Sequence, residues 1–489
     1  MISKLIGSAG FLSSGGTIGG DLTISGDLTV TGGGTYDYSE VITGDIRVQK
    51  AALSSADYDS NSIIIAENDD YAFFQTASGT KGGLFFGDAS SAYAGGITYE
   101  HTTSPEKLSL RAGAADRMII DTNSRISLGN NDSSGAATTT IFGYQAGNAV
   151  ASGGINNVLM GYNAGLNITS GSQNVAIGAN ALDFEDDGGT SVAVGYNALT
   201  SQRGNGRNVA VGNNAAKEIS TGDDNVAIGH NSMQTHTTGS GNIAIGAFAM
   251  DDTDSAAGGA IAKAGTNNIL VGRYAGSGAW DGTYTTDNVI GIGAYSLYGA
   301  LGGSAADVDG TIGIGGNALQ ALTSGGGNLA VGMNALKSHT TGHRNIAIGH
   351  NAMDDTDGGA ITSGSAATIL ASIDNIFIGY DSGGGDWCNG GAAAASNYNV
   401  AIGNYTMDAV MNGAIYNTAL GHQALTGLTS GTYNTVVGSD AADVLATGDH
   451  NVVMGANALG TSTAGEYNVA IGSAALFTAN HESNDGSIA

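Results

Sequence analysis

The apolar positions of this chain recur in a short pattern that repeats from about residue 129 to residue 476. Its clearest form is Asn-apolar-small-apolar-Gly, as in the NVAIG of residues 174–178. Successive side chains of a strand point to opposite faces, so Val175 and Ile177 share one face and Ala176 lies on the other. Both faces are apolar. The pattern therefore predicts a short strand that is covered on both sides.

The Gly that ends each motif, called here the coil Gly, recurs mostly every 17 residues between Gly143 and Gly472. Longer steps, such as that from Gly246 to Gly272, indicate insertions into the same unit. A unit of this size has room for two short strands and two turns, and every copy presents its motif in the same sense. We therefore expect an all-β fold, a parallel β-solenoid in which each unit forms one coil and stacks on the next.

The constant spacing within the chain indicates structural roles for the repeated positions. The Asn before each strand is expected to form a ladder along the axis, bonding its equivalents above and below. The coil Gly supplies a positive φ, or room at the tightest turn. In four copies the repeat residues are Asn174, Val175, Ile177 and Gly178; Asn225, Ile228 and Gly229; Asn345, Ile348 and Gly349; and Asn468, Ile471 and Gly472.

Composition excludes several classes of function. The 489 residues include 82 Gly, one Pro and one Cys, and the formal charge is −28. This charge argues against nucleic acid as a partner, because phosphate binding needs clustered Lys and Arg. No apolar run approaches the roughly 20 residues that span a bilayer, so we expect no membrane insertion. Neither Gly-x-Ser-x-Gly nor His-Glu-x-x-His occurs, and we expect no enzymatic activity.

The sequence also contains a longer repeat that spans several coils. The stretch HTTGSGNIAIGAFAMDDTD, from residue 236, returns as HTTGHRNIAIGHNAMDDTD from residue 339, an offset of 103 residues. The only two tryptophans, Trp280 and Trp387, each come eight residues after a coil Gly. We expect the inserted loops to expose these rings, with Tyr284 and Tyr398, for contact with a receptor. The alternative is that each Trp only covers its own insertion.

Acidic clusters and histidines are candidate ion ligands. The DDTD motifs offer carboxylates that could hold Ca²⁺, although they lack EF-hand spacing and also fit solvated loops. The acidic FEDDGG of residues 184–189 has the same status. His230, His350 and His422 follow a coil Gly directly and could meet at a threefold axis, but the varied occupants of this position favour a surface location. No other cofactor is expected. The weak calcium candidates are Asp251, Asp252, Asp254, Asp354, Asp355 and Asp357.

The NxAIGxxAL repeats, with spacers such as HTTGSG, resemble two families. One is the head of trimeric autotransporter adhesins, a left-handed parallel β-roll of three chains. The other is bacteriophage tail fibres. The N-terminal stretch GDLTISGDLTVTGGGTYDY also resembles the shafts of such fibres. The resemblance covers roughly residues 129–476 and implies a homotrimeric fibre. An autotransporter is expected to continue into a heptad stalk and a membrane barrel, whereas HESNDGSIA follows the last coil here.

These observations give a prediction for the whole chain. We expect a tail fibre of a virion that recognises a host-surface receptor, with a glycan among the candidates, and that contacts other tail proteins. The alternatives are a bacterial cell-surface trimeric adhesin and a self-assembling extracellular filament. The expected segments are a β-repeat shaft (1–48), a small β-rich connector (49–124), a roll of about 18–19 coils (125–478) with insertion loops at 247–267, 350–374 and 381–398, and a tail (479–489).

Overall fold

The residues that the structure describes form β-strands and turns, and no helix occurs among them. In this computed structural model the chain divides into two compact units, Met1–Ser78 and Gly79–Ala489. The all-β expectation is thus confirmed for the described residues. These are 67–68, 71–72, 81–86, 95–100, 107–112, 115–121, 126–128 and 139–489, the last range with gaps at 152, 205, 252–264, 279, 281–285, 300, 302–307, 357–370, 388–393 and 479–484.

The first strands are antiparallel. Strands β1 (Glu67–Asn68) and β2 (Tyr71–Ala72) pair with each other. A separate five-stranded antiparallel sheet has its strands in sequence order. A bulge between Leu110 and Arg111 shifts the register of its third and fourth strands. The strands of this sheet are β3 (Lys81–Phe86), β4 (Gly95–Glu100), β5 (Lys107–Ala112), β6 (Ala115–Asp121) and β7 (Ile126–Leu128).

Eighteen strands of three residues each then stack in parallel and in register, which confirms the parallel β-solenoid. Each strand pairs with the next one in sequence, as in Ala176 with Ala193. The outer edge of the last strand pairs with the final residues, Val469 with Ile488, so the ladder has two ends and does not close into a ring. The strands are β8 (Thr140–Phe142), β9 (Val158–Met160), β10 (Val175–Ile177), β11 (Val192–Val194), β12 (Val209–Val211), β13 (Val226–Ile228), β14 (Ile243–Ile245), β15 (Ile269–Val271), β16 (Ile290–Ile292), β17 (Ile312–Ile314), β18 (Leu329–Val331), β19 (Ile346–Ile348), β20 (Ile376–Ile378), β21 (Val400–Ile402), β22 (Thr418–Leu420), β23 (Thr435–Val437), β24 (Val452–Met454) and β25 (Val469–Ile471).

Among the described residues each coil contains one strand, so the expectation of two strands per unit is wrong. The rest of the coil turns sharply, with positive φ at Asn180 (55°) and Leu182 (54°). Residues in this conformation cannot continue an extended chain. The turns are nevertheless bonded from coil to coil, for example by Leu182 N–H to the carbonyl of Ala198 at 3.0 Å. Stacking therefore satisfies the backbone around the coil without a second strand.

In most coils the residue before the strand is a buried Asn, called here the ladder Asn, which links three coils. The Oδ1 of Asn174 accepts the N–H of Ser191 at 3.0 Å, and the Oδ1 of Asn157 accepts the N–H of Asn174 at 2.8 Å. The Nδ2 of Asn174 donates to the carbonyl of Gly188 at 3.0 Å. Because a buried backbone group without a partner costs about 1–3 kcal/mol, this side chain is needed where the strand begins.

The coil Gly is required by both its conformation and its surroundings. Gly178 has φ 136°, a region that residues with a Cβ rarely adopt. A Cβ at this position would also collide with the carbonyl of Gly195 in the next coil. The close approach of successive coils therefore fixes Gly at this position.

The core of each coil is narrow, and two inward positions share its volume. They are the middle residue of the strand and the fourth residue after the coil Gly. Where the first is Ala176, the second is Leu182, and both are fully buried. Where the first is the larger Phe377, the second is Gly383, and a Cβ there would collide with the Phe377 ring. The same exchange pairs Leu159 with Gly165 and Leu270 with Gly276.

This exchange predicts the outcome of a swap. Phe377→Ala should destabilise the roll by about 3–5 kcal/mol, because it leaves a cavity, and Gly383→Leu should overpack the same coil. The double variant Phe377→Ala/Gly383→Leu recreates the pair found at Ala176 and Leu182, so its denaturation midpoint should lie above that of either single variant. Additive losses in the double variant would contradict the shared volume.

Candidate interaction surface

The first and third residues of strands β8–β25 point away from the core and form one apolar surface, the strand stripe. All of its 36 positions are apolar except Thr140, Thr418 and Thr435. The third residues stay partly open to solvent; Ile177 is 38% and Ile228 37% exposed. A surface without a single charge is unexpected on a chain with a formal charge of −28.

The strand stripe is large for a surface left to solvent. Coils about 4.8 Å apart give a length of roughly 80 Å, and two outward residues per strand give a width of roughly 7 Å, hence about 600 Å². Contiguous apolar patches of this size usually mark interaction sites. The sequence predicted apolar character on both faces of the strand. The structure shows that Ala176 faces the core of its own coil, while the other face, with Val175 half-buried and Ile177 exposed, is only partly covered within the described part of this chain.

The sheet of β3–β7 also has an apolar face. Leu84, Ile97 and Leu110 are 42%, 46% and 42% exposed. They are cross-strand partners in register, Leu84 with Ile97 and Ile97 with Leu110. Cross-strand pairs of this kind lie close enough to form a continuous surface. Two separate β-structures of this chain thus present uncharged apolar surface to solvent.

The residues directly before the ladder Asn of successive coils form an aromatic stack, which we call the tyrosine ladder. Its ring centroids are 4.9–5.0 Å apart, and the rings are nearly parallel, with interplanar angles of 1–23°. These residues have positive φ, a conformation that Asn, Asp and Gly tolerate better than aromatic residues. The tyrosines are 40–58% exposed. The members are Tyr398, Tyr416, Tyr433, His450 and Tyr467.

The two tryptophans are not exposed, and the expectation that they offer their rings to a receptor is wrong. Trp280 is 5% and Trp387 2% exposed. The Trp387 ring packs on Phe377 with centroids 5.5 Å apart, and its Nε1 donates to the carbonyl of Gly383 at 3.0 Å. Each Trp lies in a coil that has Gly, at position 276 or 383, as the fourth residue after the coil Gly. Of the other two receptor candidates, Tyr398 begins the tyrosine ladder, and Tyr284 lies outside the described residues.

The histidines after the coil Gly pack on aromatic rings of neighbouring coils. His230 meets Phe248 edge to face with ring centroids 5.1 Å apart. His350 stacks on Tyr380 at 5.4 Å, and His422 meets the ring of Tyr405 at 6.0 Å. Each histidine thus extends an aromatic contact along the outside of the roll.

Of the calcium candidates, Asp251, Asp354 and Asp355 are described, and Asp252, Asp254 and Asp357 lie outside the described residues. Asp354 faces Asp408 across Gly384: a Cβ on this Gly would be 3.4 Å from Asp354 Oδ1 and 3.1 Å from Asp408 Oδ1. Calcium binding by these residues stays a prediction.

The FEDDGG stretch forms a second acidic group. Ligand atoms of Glu185, Asp186 and Asp187 lie within 4.8 Å of one another. The buried Glu185 is already hydrogen-bonded, because its Oε2 accepts the Nε2 of Gln202 at 2.6 Å and its Oε1 accepts the N–H of Gly188. Glu185 therefore has a structural role in a coil where Ser191 replaces the ladder Asn.

The carboxylates around Gly384 titrate in an unusual range. Burial, followed by the like charges of Asp355 and Asp381, raises the pKa of Asp354 to about 6. Burial and Asp381 raise the pKa of Asp408 to about 6 as well. In the unfolded chain both carboxyls have a pKa of about 3.9, so between pH 4 and pH 6 the folded state binds more protons. The contribution of this pair to stability therefore falls as the pH rises through this window.

We expect Asp354→Asn/Asp408→Asn to raise the stability at pH 7 by roughly 1 kcal/mol, a value reduced for solvent screening of half-buried groups. The gain in denaturation midpoint that the parent protein shows from pH 7 to pH 5 should shrink in this variant. Asp186→Asn, at an exposed position, serves as the control. Equal pH dependence in the double variant and the parent would contradict the assigned repulsion.

Comparison with protein-family models, with curated proteins and with solved structures gives no match to this chain. Among the described residues, no helix has the length and apolar character needed to cross a membrane.

Proposed function

We propose that this protein is a homotrimeric structural fibre, a bacteriophage tail fibre that adheres to the surface of a host. The observation that supports this best is the strand stripe, an uncharged apolar surface that follows the roll over 18 coils. The second apolar face, at Leu84, Ile97 and Leu110, adds to the surface that association would cover. Resemblance of the repeats to tail fibres supplies the biological context.

Another copy of the same chain is the partner that fits the strand stripe best. Its outward side chains recur once per coil, with a rise of about 4.8 Å. A partner must repeat at the same distance to contact the stripe along its whole length, and a second copy does so by construction. Closed symmetry would bury the same patch on every subunit. The number of three chains follows from the resemblance to trimeric fibres and adhesin heads.

Host adhesion is assigned to the tyrosine ladder. Tyrosine is enriched at protein interfaces because it combines apolar area with a hydroxyl group. The rings of Tyr416 and Tyr433 are 47% and 52% exposed, whereas the two tryptophans are buried. The acidic character of the chain favours a partner without dense negative charge, such as a neutral surface glycan.

We expect Ile228→Asp/Ile245→Asp to prevent trimer formation while the coils remain folded. Both side chains lie on the strand stripe and are 37% exposed, so the added charges disturb the association rather than the core. Light scattering coupled to a sizing column should report trimers for the parent and monomers for the variant, and circular dichroism should report retained β-structure.

The matched control for this experiment is Thr221→Asp/Thr238→Asp, which adds the same charge at exposed turn positions of neighbouring coils. It should remain trimeric. A trimeric stripe variant, or a parent protein that is monomeric, would contradict the proposal. Growth of the parent into fibres of indefinite length would favour the filament alternative.

We expect Tyr416→Ala/Tyr433→Ala to assemble normally and to lose glycan binding. Aromatic anchors at interfaces are commonly worth about 2 kcal/mol or more, which corresponds to more than tenfold in affinity. The measurement is binding of fluorescent parent and variant trimers to an array of neutral and charged bacterial surface glycans. Tyr196→Ala, at an exposed position outside the ladder, is the control. Unchanged binding would remove the tyrosine ladder from the adhesive surface.

A further inference from the structure

Residues 485–489, with the sequence DGSIA, repeat the pattern of a stretch in the final coil. They align with EYNVA at residues 466–470, so that each stretch has an acidic residue, a variable residue, a polar residue and two apolar residues. The backbone follows the same path, since Gly486 has φ 75° and its equivalent Tyr467 has φ 58°. The DGSIA segment thus resembles the first part of one more coil.

The DGSIA segment binds to the outer edge of strand β25 through the backbone bonds that join successive coils. Val469 N–H donates to the carbonyl of Ser487 at 2.8 Å, and Ile471 N–H donates to the carbonyl of Ala489 at 2.8 Å. In return, Ala489 N–H donates to the carbonyl of Val469 at 2.9 Å. Strand β25 is therefore paired along this edge in the parallel sense, as the earlier strands are.

The side-chain bonds of the ladder are repeated as well. Ser487 N–H donates to the Oδ1 of Asn468 at 2.9 Å, as Asn468 N–H does to the Oδ1 of Asn451 at 2.9 Å. The Oδ1 of Asp485 accepts the N–H of Glu466 at 3.0 Å. A further coil would need these same donors and acceptors. The DGSIA segment and a further coil therefore exclude each other from this edge.

The rest of the last coil remains partly open. Ala475 and Leu476 are only half-buried, whereas their equivalents one coil earlier, Ala458 and Leu459, are 0% and 1% exposed. Phe477, which follows them, is 42% exposed. The narrow core of the roll thus ends in apolar side chains that a complete coil would cover.

The last ladder Asn also lacks one of its bonds. The Nδ2 of Asn468 is buried without a hydrogen-bond partner, whereas the Nδ2 of Asn451 donates to the carbonyl of Gly465 in the next coil at 2.7 Å. No described atom lies within 4 Å of the place of a Cβ on Gly472. Because a buried donor without a partner is unfavourable, this end would gain from a segment that supplies the missing carbonyl.

The opposite end of the roll has a complementary opening. Ile141 and Val150 in the first coil are half-buried, although their equivalents in the second coil, Leu159 and Ile168, are fully buried. Among the described residues strand β8 pairs on one edge only, with β9. Since the coils share one register, the first coil of a second copy fits the last coil as one coil fits the next. Head-to-tail contacts of this kind grow into open filaments.

We propose that the DGSIA segment is an end cap, which takes the place of a further coil and prevents the first coil of a second copy from adding to the last one. Repeat proteins use atypical terminal repeats in this way, because an unpaired strand edge invites association. A tethered segment competes at an effective concentration of about 1 mM, so it can hold the edge although it fills only part of the coil. The cap does not depend on the lateral association proposed above, which uses the strand stripe.

The full-length variant Gly486→Pro/Ala489→Pro tests the cap. Proline cannot adopt φ 75° and has no N–H, so the bonds from Gly486 to Glu466 and from Ala489 to Val469 are lost. At roughly 10 µM, in the range where specific interfaces associate, the variant should form rods with at least twice the mean length of the parent. Negative-stain electron microscopy measures the lengths. They should increase with concentration in the variant and stay constant in the parent.

Three controls accompany this variant. Ile488→Ser changes a side chain that is 83% exposed and keeps the backbone bonds, so its rods should have the parental length. Deletion of residues 485–489 removes the cap without introducing proline, and it replaces the double variant should that one fail to fold. Excess parent protein should shorten the rods of the variant, because a capped copy can add through its first coil and then stops growth.

Rods of parental length in both the double variant and the deletion would overturn the proposal. So would amorphous aggregates that excess parent does not shorten, or a parent protein that itself grows into long fibres. Lateral association changes the width of a rod, whereas end-to-end addition changes its length. Failure of the trimer proposal and failure of the cap proposal therefore give different images.

Discussion

Stacking in register, with each residue placed on its equivalent in the next coil, is the constraint on which this structure depends. The backbone hydrogen bonds between coils impose it, and the close contact at each coil Gly permits no other spacing. A side chain must therefore be compatible with its own kind about 4.8 Å away. Amides, aromatic rings and aliphatic side chains satisfy this condition.

The surface ladders show how this constraint selects residues. Two positions after the coil Gly, the amides of Asn163, Asn180 and Asn197 bond in a row at 3.1–3.3 Å. Farther along the same position, Phe248 and Tyr274 stack with centroids 4.9 Å apart. Opposite charges also pair between equivalent positions of successive coils, as Arg207 does with Asp224 at 2.6 Å. The outward strand residues follow the simplest solution, since all but three of them are apolar.

Much of this architecture could be predicted from the chain, because the 17-residue spacing directly records the coil. The strand, the ladder Asn and the coil Gly each occupy a fixed position in the repeat, so the sequence shows them directly. The second half of the coil was harder to predict. Leu182, Met233 and Leu319 adopt positive φ, a conformation that sequence reasoning assigns to Gly or Asn, so a turn looked like a strand. Stacking contacts on both sides hold these residues in a conformation that costs about 1–2 kcal/mol each.

The candidate surfaces were only partly foreseeable. Apolar letters on both faces of the strand indicated the strand stripe. Trp387 looked exposed because it follows an insertion, and its burial depends on the contrast between Phe377 and Gly383. That contrast becomes visible only when coils are compared with one another. The tyrosine ladder has a readable signal, because an aromatic residue directly precedes Asn in five successive coils; of these only Tyr398 is among the receptor candidates predicted from the sequence, as a loop residue.

The 103-residue repeat has an evolutionary meaning in this setting. It carries the same histidine, ladder Asn and coil Gly from the coil of His236 to that of His339, five coils farther along. Because every junction between coils uses the same bonds, a block with a whole number of coils can be inserted by gene duplication without breaking the junctions at its borders. The length of the roll can therefore evolve in steps of whole coils, while its cross-section remains unchanged.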